Sequence, residues 1–332
     1  MKPFETICPW LADALETMEA AARSDRLGHG WLIAGPADVG KRDLAYVLAL
    51  RLLNGRIGTA PPGPASPAEI LARYAALEES GDLHPDLHRL KAEDDKRTIS
   101  VEQVRDTTAA LALTPHLAEA KVVVIESAEI MTPAAANALL KTLEEPTPNT
   151  YLLLLAERPG RLAATIRSRC QRLVLRRPAP EATRAWLERA GLAAEGLPPA
   201  LLIGAPLTVA RAATDIKNVR VYKDINDSID SVYKGRADVH SLAETWDKGD
   251  TALALDCLVA SLHARIRRRF VPERSTPVTE RASRFNDNLG NAVSSERLFE
   301  GLDMAQNLRE QLGRGINVAL ALKALLLGLE PT

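Results

Sequence analysis

The sequence predicts an α/β domain with a mostly parallel sheet, followed by an all-helical C-terminal part. In the first half, short apolar runs alternate with helical patterns, which is typical of units that build a parallel sheet. From about Asp215 the strand-like runs disappear and leucines recur every three or four residues. At 332 residues the chain has room for two or three domains, and we expect their limits at 1–176, 177–214 and 215–332.

Five segments of the first half are candidate strands because they are short and rich in aliphatic residues. Runs such as VVVI and YLLLL are apolar at every position, as in strands that helices cover on both faces. The candidate strands are Gly30–Ala34, Leu87–Lys91, Lys121–Ile125, Tyr151–Ala156 and Leu173–Leu175. The candidate helices among them are Leu11–Ser24, Arg42–Leu53, Pro67–Glu79, Val101–Leu113 and Pro133–Leu143.

Proline and glycine interrupt this pattern at two places. Gly55–Pro67 (GRIGTAPPGPASP) is too rich in both for a regular element, so we expect a surface loop there. Arg176–Pro180 (RRPAP) indicates the end of the first domain, and a short helical region over Glu181–Ala213 follows. Beyond it, the leucine spacings and the run ALALKALLLGL predict long helices with broad apolar faces.

Composition and charge exclude several classes of protein. With a net charge of −1 and 4% aromatic residues, the chain is not a protein that coats DNA, although it can work beside DNA. Cys8, Cys170 and Cys257 lie far apart and share no spacing of a metal site or a disulfide. The sequence shows no signal peptide and no run of about 18 apolar residues, so we expect a soluble cytoplasmic protein.

The sharpest local motif is WLIAGPADVGKRDLAYVLAL, in which an apolar strand leads through a glycine-containing loop into a helix. Gly35, Gly40 and Lys41 match the strand–GxxxxGK–helix pattern of a P-loop, whose backbone amides and lysine hold phosphate groups. Arg42 stands where a P-loop has a serine or threonine that ligates magnesium. Because a cation repels Mg²⁺, this position departs from an active site.

A second motif, KVVVIESAEIM, ends an apolar strand in carboxylates. P-loop ATPases present there a magnesium-directing Asp and then a water-polarising Glu; Glu126 takes the first position and Ser127 the second. A serine cannot serve as this general base, and loss of a base costs a factor of ~10²–10⁴ in rate. Glu126 could still reach a metal through water, but Glu126 and Glu129 are equally well explained as a solvated strand end.

Residues 121–146, KVVVIESAEIMTPAAANALLKTLEEP, resemble the clamp-loader branch of the AAA+ ATPases, as do HGWLIAGPADVGK, HPDLHRL, ISVEQVR and IRSRC. The resemblance is strong over about residues 9–213 and weaker over the helical end, where GRGINVALALKALLLGL looks like the family's last collar helix. It implies a P-loop AAA+ core with a five-strand parallel sheet, a small helical lid and an all-α collar. Through such collars, five subunits form an open ring.

The resemblance also implies a function. The chain would be a non-hydrolysing subunit of the replicative clamp loader, a component of the DNA-directed DNA polymerase (nucleotidyltransferase) holoenzyme. Its partners would be ATPase subunits and a delta subunit in a hetero-pentamer, and through them the sliding clamp and primed DNA. We expect no required cofactor, at most weak nucleotide binding without magnesium at Gly35, Gly40 and Lys41, and no residue assigned to a metal. We expect no zinc because residues 54–97 lack the cysteines of the family's zinc module.

Ser168, Arg169 and Cys170 match the family's SRC motif, whose arginine reaches the ATP of the neighbouring subunit. The resemblance therefore makes Arg169 the candidate catalytic residue, acting in trans as an arginine finger. Taken without the resemblance, Arg167, Arg169 and Arg172 are better explained as the solvated basic end of a helix. Cys170 is better explained as a packing residue than as a nucleophile, since no histidine lies at a motif spacing from it.

Two further groups have plain structural explanations. We interpret His84 as a turn-forming residue, and Arg265 with the run Arg267–Arg269 as a charged helix end rather than a phosphate site. Two other functions stay open. One is an ATP-hydrolysing motor subunit of the same family, which Arg42 and Ser127 disfavour. The other is a stand-alone P-loop kinase, for which no second phosphate-handling motif is present.

Overall fold

A computed structural model describes residues 6–24, 26–57, 62–80, 84–93, 96–192, 206–214, 216–270, 293–313 and 315–331. These residues form two compact units. One contains the described residues up to Ala190 together with Pro206 and Leu207, and the other contains Gly191 and Leu192 together with the described residues from Thr208 onwards. The three-domain division expected from the sequence stays a prediction.

The first unit is built on a parallel sheet of five strands, which confirms the predicted fold class. The strands of the described residues are β1 (Thr6–Ile7), β2 (Gly30–Ala34), β3 (Gly63–Pro64), β4 (Leu87–Leu90), β5 (Lys121–Ile125), β6 (Thr150–Ala156) and β7 (Gln171–Val174). The order in the sheet is β4-β5-β6-β2-β7, and all neighbours are parallel. The carboxyl ends of β2, β5 and β6 therefore meet at one edge of the sheet.

The helices described in this unit follow the predicted pattern. They are α1 (Ala12–Arg23), α2 (Lys41–Leu53), α3 (Pro67–Ser80), α4 (Val101–Ala112), α5 (Pro133–Glu144), α6 (Ala164–Arg167) and α7 (Pro180–Arg189). Ser100 and Gln103 form a capping box that starts α4, and the Thr132 hydroxyl accepts the amide of Ala135 to start α5. These caps fix the helix starts where the sequence predicts them.

The sheet is covered on both faces, as its apolar strands require. Every residue of β2 and β5 is buried, and α2 is buried on nearly all sides. A single apolar cluster joins the sheet to α4 and α5; its large members include Val104, Leu111, Val123, Leu139, Leu143, Leu152 and Leu154. This packing makes the sheet a rigid platform for the loops at its carboxyl edge.

Two expectations are wrong in detail. The segment Gly55–Pro67 is not only a loop, because Gly63–Pro64 pairs in parallel with Thr6–Ile7 and the Ala65 carbonyl accepts Trp186 Nε1 at 2.7 Å. The last strand begins at Gln171 rather than Leu173. Both elements are held by backbone hydrogen bonds rather than by an apolar run, so the periodicity of the sequence does not reveal them.

The HPDL segment confirms the turn expected at His84. His84 Nδ1 lies 3.1 Å from the amide nitrogen of Asp86, which donates to it. The Asp86 carboxylate in turn accepts three consecutive backbone amides, from His116 (2.5 Å), Leu117 (2.8 Å) and Ala118 (2.8 Å). Burial raises the pKa of Asp86, but these hydrogen bonds outweigh it and bring the pKa to about 2. The turn therefore fixes the loop after α4.

The second unit is helical, as predicted. The helices from the end of the first unit onwards are α8 (Pro206–Thr214), α9 (Ile216–Tyr233), α10 (Val239–Lys248), α11 (Thr251–Phe270), α12 (Ser295–Gln311) and α13 (Val318–Gly328). Leu255, Leu258 and Leu262 form a buried stripe along α11. Part of the predicted region Glu181–Ala213 lies outside the described residues. In the described part of the chain, no helix is long and apolar enough to span a membrane.

The basic end of α11 makes contacts within its own unit. Arg265 donates to Asp230 Oδ1 at 2.8 Å, and its guanidinium carbon lies 3.7 Å from the ring centre of Tyr233. Arg269 donates to the carbonyl of Val293 at 2.8 Å. These contacts support the interpretation as a structural helix end; the side chain of Arg268 lies outside the described residues.

Candidate nucleotide site and arginine edge

The glycine-containing loop lies between β2 and α2, so the predicted strand–loop–helix arrangement is present. Gly40 has φ +95°, and a Cβ there would lie 2.8 Å from Leu11 Cδ1. A Cβ at Gly35 would lie 2.9 Å from the carbonyl oxygen of Leu175. The path of the loop therefore needs both glycines, whether or not the loop holds a phosphate.

Lys41 directs its ammonium group into its own loop. Its Nζ donates to the carbonyls of Gly35 (2.9 Å) and Pro36 (2.6 Å) and lies 3.8 Å from Glu157 Oε1. Burial lowers the pKa of Lys41, although the carboxylates of Glu157 and Glu129 act in the opposite direction. An ammonium has three N–H groups. The two loop carbonyls accept from Lys41, so only one N–H group is left for a phosphate unless these contacts break.

Arg42 lies against the carboxylate at the predicted magnesium-directing position. Its Nε is 3.2 Å from Glu126 Oε1. The same oxygen accepts Arg89 Nε at 3.0 Å and the Tyr46 hydroxyl at 2.9 Å, while Arg89 Nη2 donates to Oε2 at 3.3 Å. The Glu126 side chain is only 13% exposed, so its interpretation as a solvated strand end is wrong.

A second carboxylate joins the same cations. Glu78 Oε1 accepts Arg42 Nη2 and Arg89 Nη2, each at 2.8 Å, and Oε2 accepts Lys91 Nζ at 3.0 Å. Burial raises the pKa of Glu78, but the hydrogen bonds from Lys91, Arg89 and Arg42 bring it down to about 2. We name the following residues the Arg42 network: Arg42, Tyr46, Glu78, Arg89, Lys91 and Glu126.

The Arg42 network does not fit a magnesium ion. Mg²⁺ needs near-octahedral oxygen ligands at about 2.0–2.1 Å. Here Glu126 faces two guanidinium groups, and Arg42 replaces the serine or threonine whose hydroxyl would ligate the ion. Among the described residues, no group of three or more His, Cys, Asp or Glu side chains could hold a metal ion. Glu126 is therefore not available as a magnesium ligand in this arrangement, and the absence of zinc stays a prediction.

The residues after Glu126 offer no replacement for the missing general base. Ser127 has φ +53° and an exposed hydroxyl side chain. Glu129 Oε1 accepts the backbone amides of Glu157 at 2.8 Å and Arg158 at 3.2 Å, which fixes the turn after β6. Glu129 is thus a structural cap rather than a solvated strand end.

Sequence reasoning missed four of the six residues of the Arg42 network, namely Tyr46, Glu78, Arg89 and Lys91. They come from α2, α3, β4 and the position directly after β4, so only the folded chain brings them together. One signal was available, because Arg89 lies between the two leucines of the short strand LHRL, and an arginine held in a sheet needs an anionic partner.

Arg169 lies between α6 and β7, and β7 is the edge strand next to β2. Its Nη1 donates to the carbonyl of Thr165 at 3.0 Å, and its Nη2 lies 2.5 Å from Glu144 Oε1. The Arg169 side chain is 37% exposed, and Arg167 and Arg172 are exposed as well. The guanidinium is therefore held close to its own chain while part of it reaches solvent. Its action in trans stays a prediction.

Close packing at the start of β2 holds the backbone beneath Arg169. A Cβ at Gly30 would lie 2.8 Å from Leu143 Cδ2, 3.4 Å from the Arg169 carbonyl oxygen and 3.5 Å from Cys170 Sγ. His29 Nε2 lies 2.6 Å from the carbonyl oxygen of Leu143. Burial raises the pKa of Cys170 to about 11, which supports a packing role over a nucleophilic one.

Three kinds of comparison relate the chain to known proteins. A model of the family described as DNA polymerase III, delta subunit, matches residues 10–179. The chain is 36% identical over 234 residues to DNA polymerase III subunit delta′ of Pseudomonas aeruginosa, which is 69% of this chain and 68% of that protein. It is 38% identical over 181 residues to the Escherichia coli subunit delta′, or 54% of this chain and 52% of that one. A crystal structure of a gamma subunit-related protein of DNA polymerase III from Thermotoga maritima superposes with a TM-score of 0.48 at 20% identity, covering 94% of this chain and 97% of that one.

The family match spans half of the chain, and it includes the P-loop, the Glu126 strand and the SRC motif. The Pseudomonas relative is matched over more than two thirds of its own length. The parallel sheet with strand order β4-β5-β6-β2-β7 agrees with the AAA+ core that the sequence resembles. The chain therefore belongs to the delta-prime family of DNA polymerase III clamp-loader subunits.

Proposed function

We propose that this chain is a clamp-loader subunit that does not hydrolyse ATP itself and that supplies Arg169 to the ATP of a neighbouring subunit. In this role it helps to load the sliding clamp onto primed DNA in the cytoplasm. Family membership supports the place in the clamp loader. The contacts of Arg42 support the proposal that the chain's own site is inactive, and those of Arg169 support a role at the neighbour's site.

The pair between Arg42 and Glu126 carries the first half of the proposal. P-loop enzymes need a magnesium ion that bridges the β- and γ-phosphates. Here a guanidinium 3.2 Å from Glu126 supplies the positive charge instead. If a metal displaced Arg42, the guanidinium would lose both Glu126 and Glu78. With Ser127 in place of a base, the site lacks two parts of the hydrolytic machinery.

Steady-state ATP hydrolysis by the isolated chain tests this half. We expect no turnover above that of a Lys41→Ala variant purified in the same way. Turnover that Lys41→Ala abolishes would favour the alternative, an ATP-hydrolysing motor subunit of the same family.

The prediction of weak nucleotide binding needs a separate measurement, because a chain can bind ATP without hydrolysing it. We propose that nucleotide binding is weak and independent of magnesium, since Lys41 keeps its loop contacts and Arg42 keeps Glu126. Titration of the chain with ATP in EDTA and in excess magnesium should give the same low affinity. Binding that tightens at least tenfold with magnesium would contradict this proposal.

The position of Arg169 supports the second half. Phosphoryl transfer develops charge on the γ-phosphate oxygens, and arginine fingers contribute a factor of about 10³–10⁵ in rate. A guanidinium suits this role because its planar fork can contact two oxygens and stays charged. Arg169 is partly exposed beside the edge strand β7, where a neighbouring subunit can present its nucleotide.

Helix α13 supports the proposed assembly through a collar. Leu322, Leu325 and Leu326 are buried in the second unit, whereas Leu320 and Leu327 are 64% and 46% exposed. Exposed large apolar side chains on such a helix favour contact with partner helices. We expect a chain that ends at residue 214 to fold but not to join the ATPase and delta subunits on gel filtration. Normal assembly of this shortened chain would reject the collar role.

A further inference from the structure

We propose that Glu144 is a positioning residue for Arg169. The Glu144 carboxylate holds the Arg169 guanidinium in place and competes for it with the phosphate of the ATP on the neighbouring subunit. In this way Glu144 sets how tightly the shared site binds ATP. This inference rests on the proposed action of Arg169 in trans. It concerns a residue of α5 that has no part in the Arg42 network.

Arg169 contacts two neutral acceptors and one charged acceptor. Its Nη1 donates to the Thr165 carbonyl at 3.0 Å and to Ser168 Oγ at 3.4 Å. Its Nη2 lies 2.5 Å from Glu144 Oε1, which makes a charge-assisted contact. Thr165 and Ser168 thus orient the guanidinium, while Glu144 neutralises its charge.

The two side chains meet because their backbones are fixed. Leu143, next to Glu144, packs at Gly30, and its carbonyl oxygen lies 2.6 Å from His29 Nε2. On the other side, the Arg169 amide donates to the carbonyl of Ile166 at 3.0 Å. Its own carbonyl oxygen would lie 3.4 Å from a Cβ at Gly30. The pair is therefore built by packing at the start of β2.

The pair is nonetheless exposed enough to exchange. The side chains of Arg169 and Glu144 are 37% and 49% exposed, and ion pairs in water contribute little because solvent screens them. A triphosphate carries several negative charges and offers a guanidinium two oxygens at once. When Arg169 turns to that phosphate, the Glu144 carboxylate is left nearby and repels it. The glutamate therefore opposes the binding of ATP without taking part in the chemistry.

The variant Glu144→Gln separates the hydrogen bond to Arg169 from the repulsion of the phosphate, because it keeps an acceptor oxygen and removes the charge. In the reconstituted complex with only the shared ATP site competent, a fluorescent ATP analogue reports affinity. Hydrolysis at saturating ATP reports the chemical step. We expect Glu144→Gln to lower the dissociation constant about two- to fivefold and to leave the saturated rate unchanged. The exposed neighbour Glu145 gives the matched control, Glu145→Gln, for which we expect no change.

The same change in an Arg169→Ala background shows whether Glu144 acts through Arg169. We expect Glu144→Gln to have no effect there; an effect of equal size would overturn the proposal, because the carboxylate would then act on the phosphate directly. An unchanged or weaker affinity in the intact Arg169 background would also overturn it. In that case the proposed function stands as long as Arg169→Ala alone still lowers hydrolysis. If Arg169→Ala alone has no effect on hydrolysis, the proposed function and this inference both fail.

Discussion

The P-loop and the Arg169 edge both place an arginine against a glutamate, yet in opposite surroundings. At the P-loop, Arg42 is 25% and Glu126 is 13% exposed, whereas Arg169 and Glu144 are 37% and 49% exposed. Removing one partner of a buried pair leaves an uncompensated charge, so such a pair persists. An exposed pair is weak and can exchange partners. The difference in burial separates an arginine that closes a site from one that remains available to a neighbour.

The largest effect on stability should come from Arg89, which bridges Glu126 and Glu78. Arg89→Ala removes one of the cations from each of these carboxylates while Arg42 remains on both, so we expect the free energy of unfolding to fall by about 1.5–3 kcal/mol. Lys91→Ala is the matched control, since Lys91 binds the same Glu78 from a side chain that is 39% exposed, and we expect at most about 1 kcal/mol. Urea unfolding measures both. Equal losses would show that the Arg42 network is not a buried unit.

A smaller effect should appear in acid. The pKa of Glu78 is about 2 in the folded chain, below its usual value, so its charged form contributes stability above about pH 4.5. This contribution is lost as the pH falls towards 2. The difference in unfolding free energy between the wild type and Glu78→Gln should therefore shrink from pH 5 to pH 2. A difference that stays constant with pH would mean that the cations around Glu78 do not stabilise its charge.

The smallest effect is expected from Ser127→Glu, which returns a candidate base to the strand end. Arg42 still faces Glu126 in this variant, so magnesium has no place and the isolated chain should remain without ATP hydrolysis. Turnover close to that of ordinary AAA+ motors would show that the Arg42 network does not close the site.

The sheet could be predicted from the sequence because its central strands contain runs that are apolar at every position. VVVI in β5 and YLLLL in β6 predict buried parallel strands, and Ser100 and Thr132 predict helix starts. The pairing of Gly63–Pro64 with Thr6–Ile7 could not be predicted, because backbone hydrogen bonds between distant segments leave no local pattern.

The candidate site divides in the same way. Arg42 and Ser127 are visible in the sequence because they replace residues at fixed positions of known motifs. Their partners are not visible, since Glu78 and Arg89 come from α3 and β4 and meet Arg42 only in the folded chain. Glu144 lies 25 positions before Arg169, and only the packing at Gly30 brings the two together. Spacing thus reveals departures from a motif, whereas the charges that compensate for them require the tertiary structure.

The most direct test of this account is ATP hydrolysis at the shared site of the reconstituted complex, with the other ATP sites disabled. We expect Arg169→Ala to fold and assemble but to lower turnover at that site by a factor of about 10³–10⁵. Arg169→Lys should rescue it poorly, because an ammonium lacks the planar fork. Arg167→Ala, a change at an exposed arginine two positions away, should leave turnover unchanged. Unchanged turnover in Arg169→Ala would contradict the account and reduce Arg169 to a solvated surface charge.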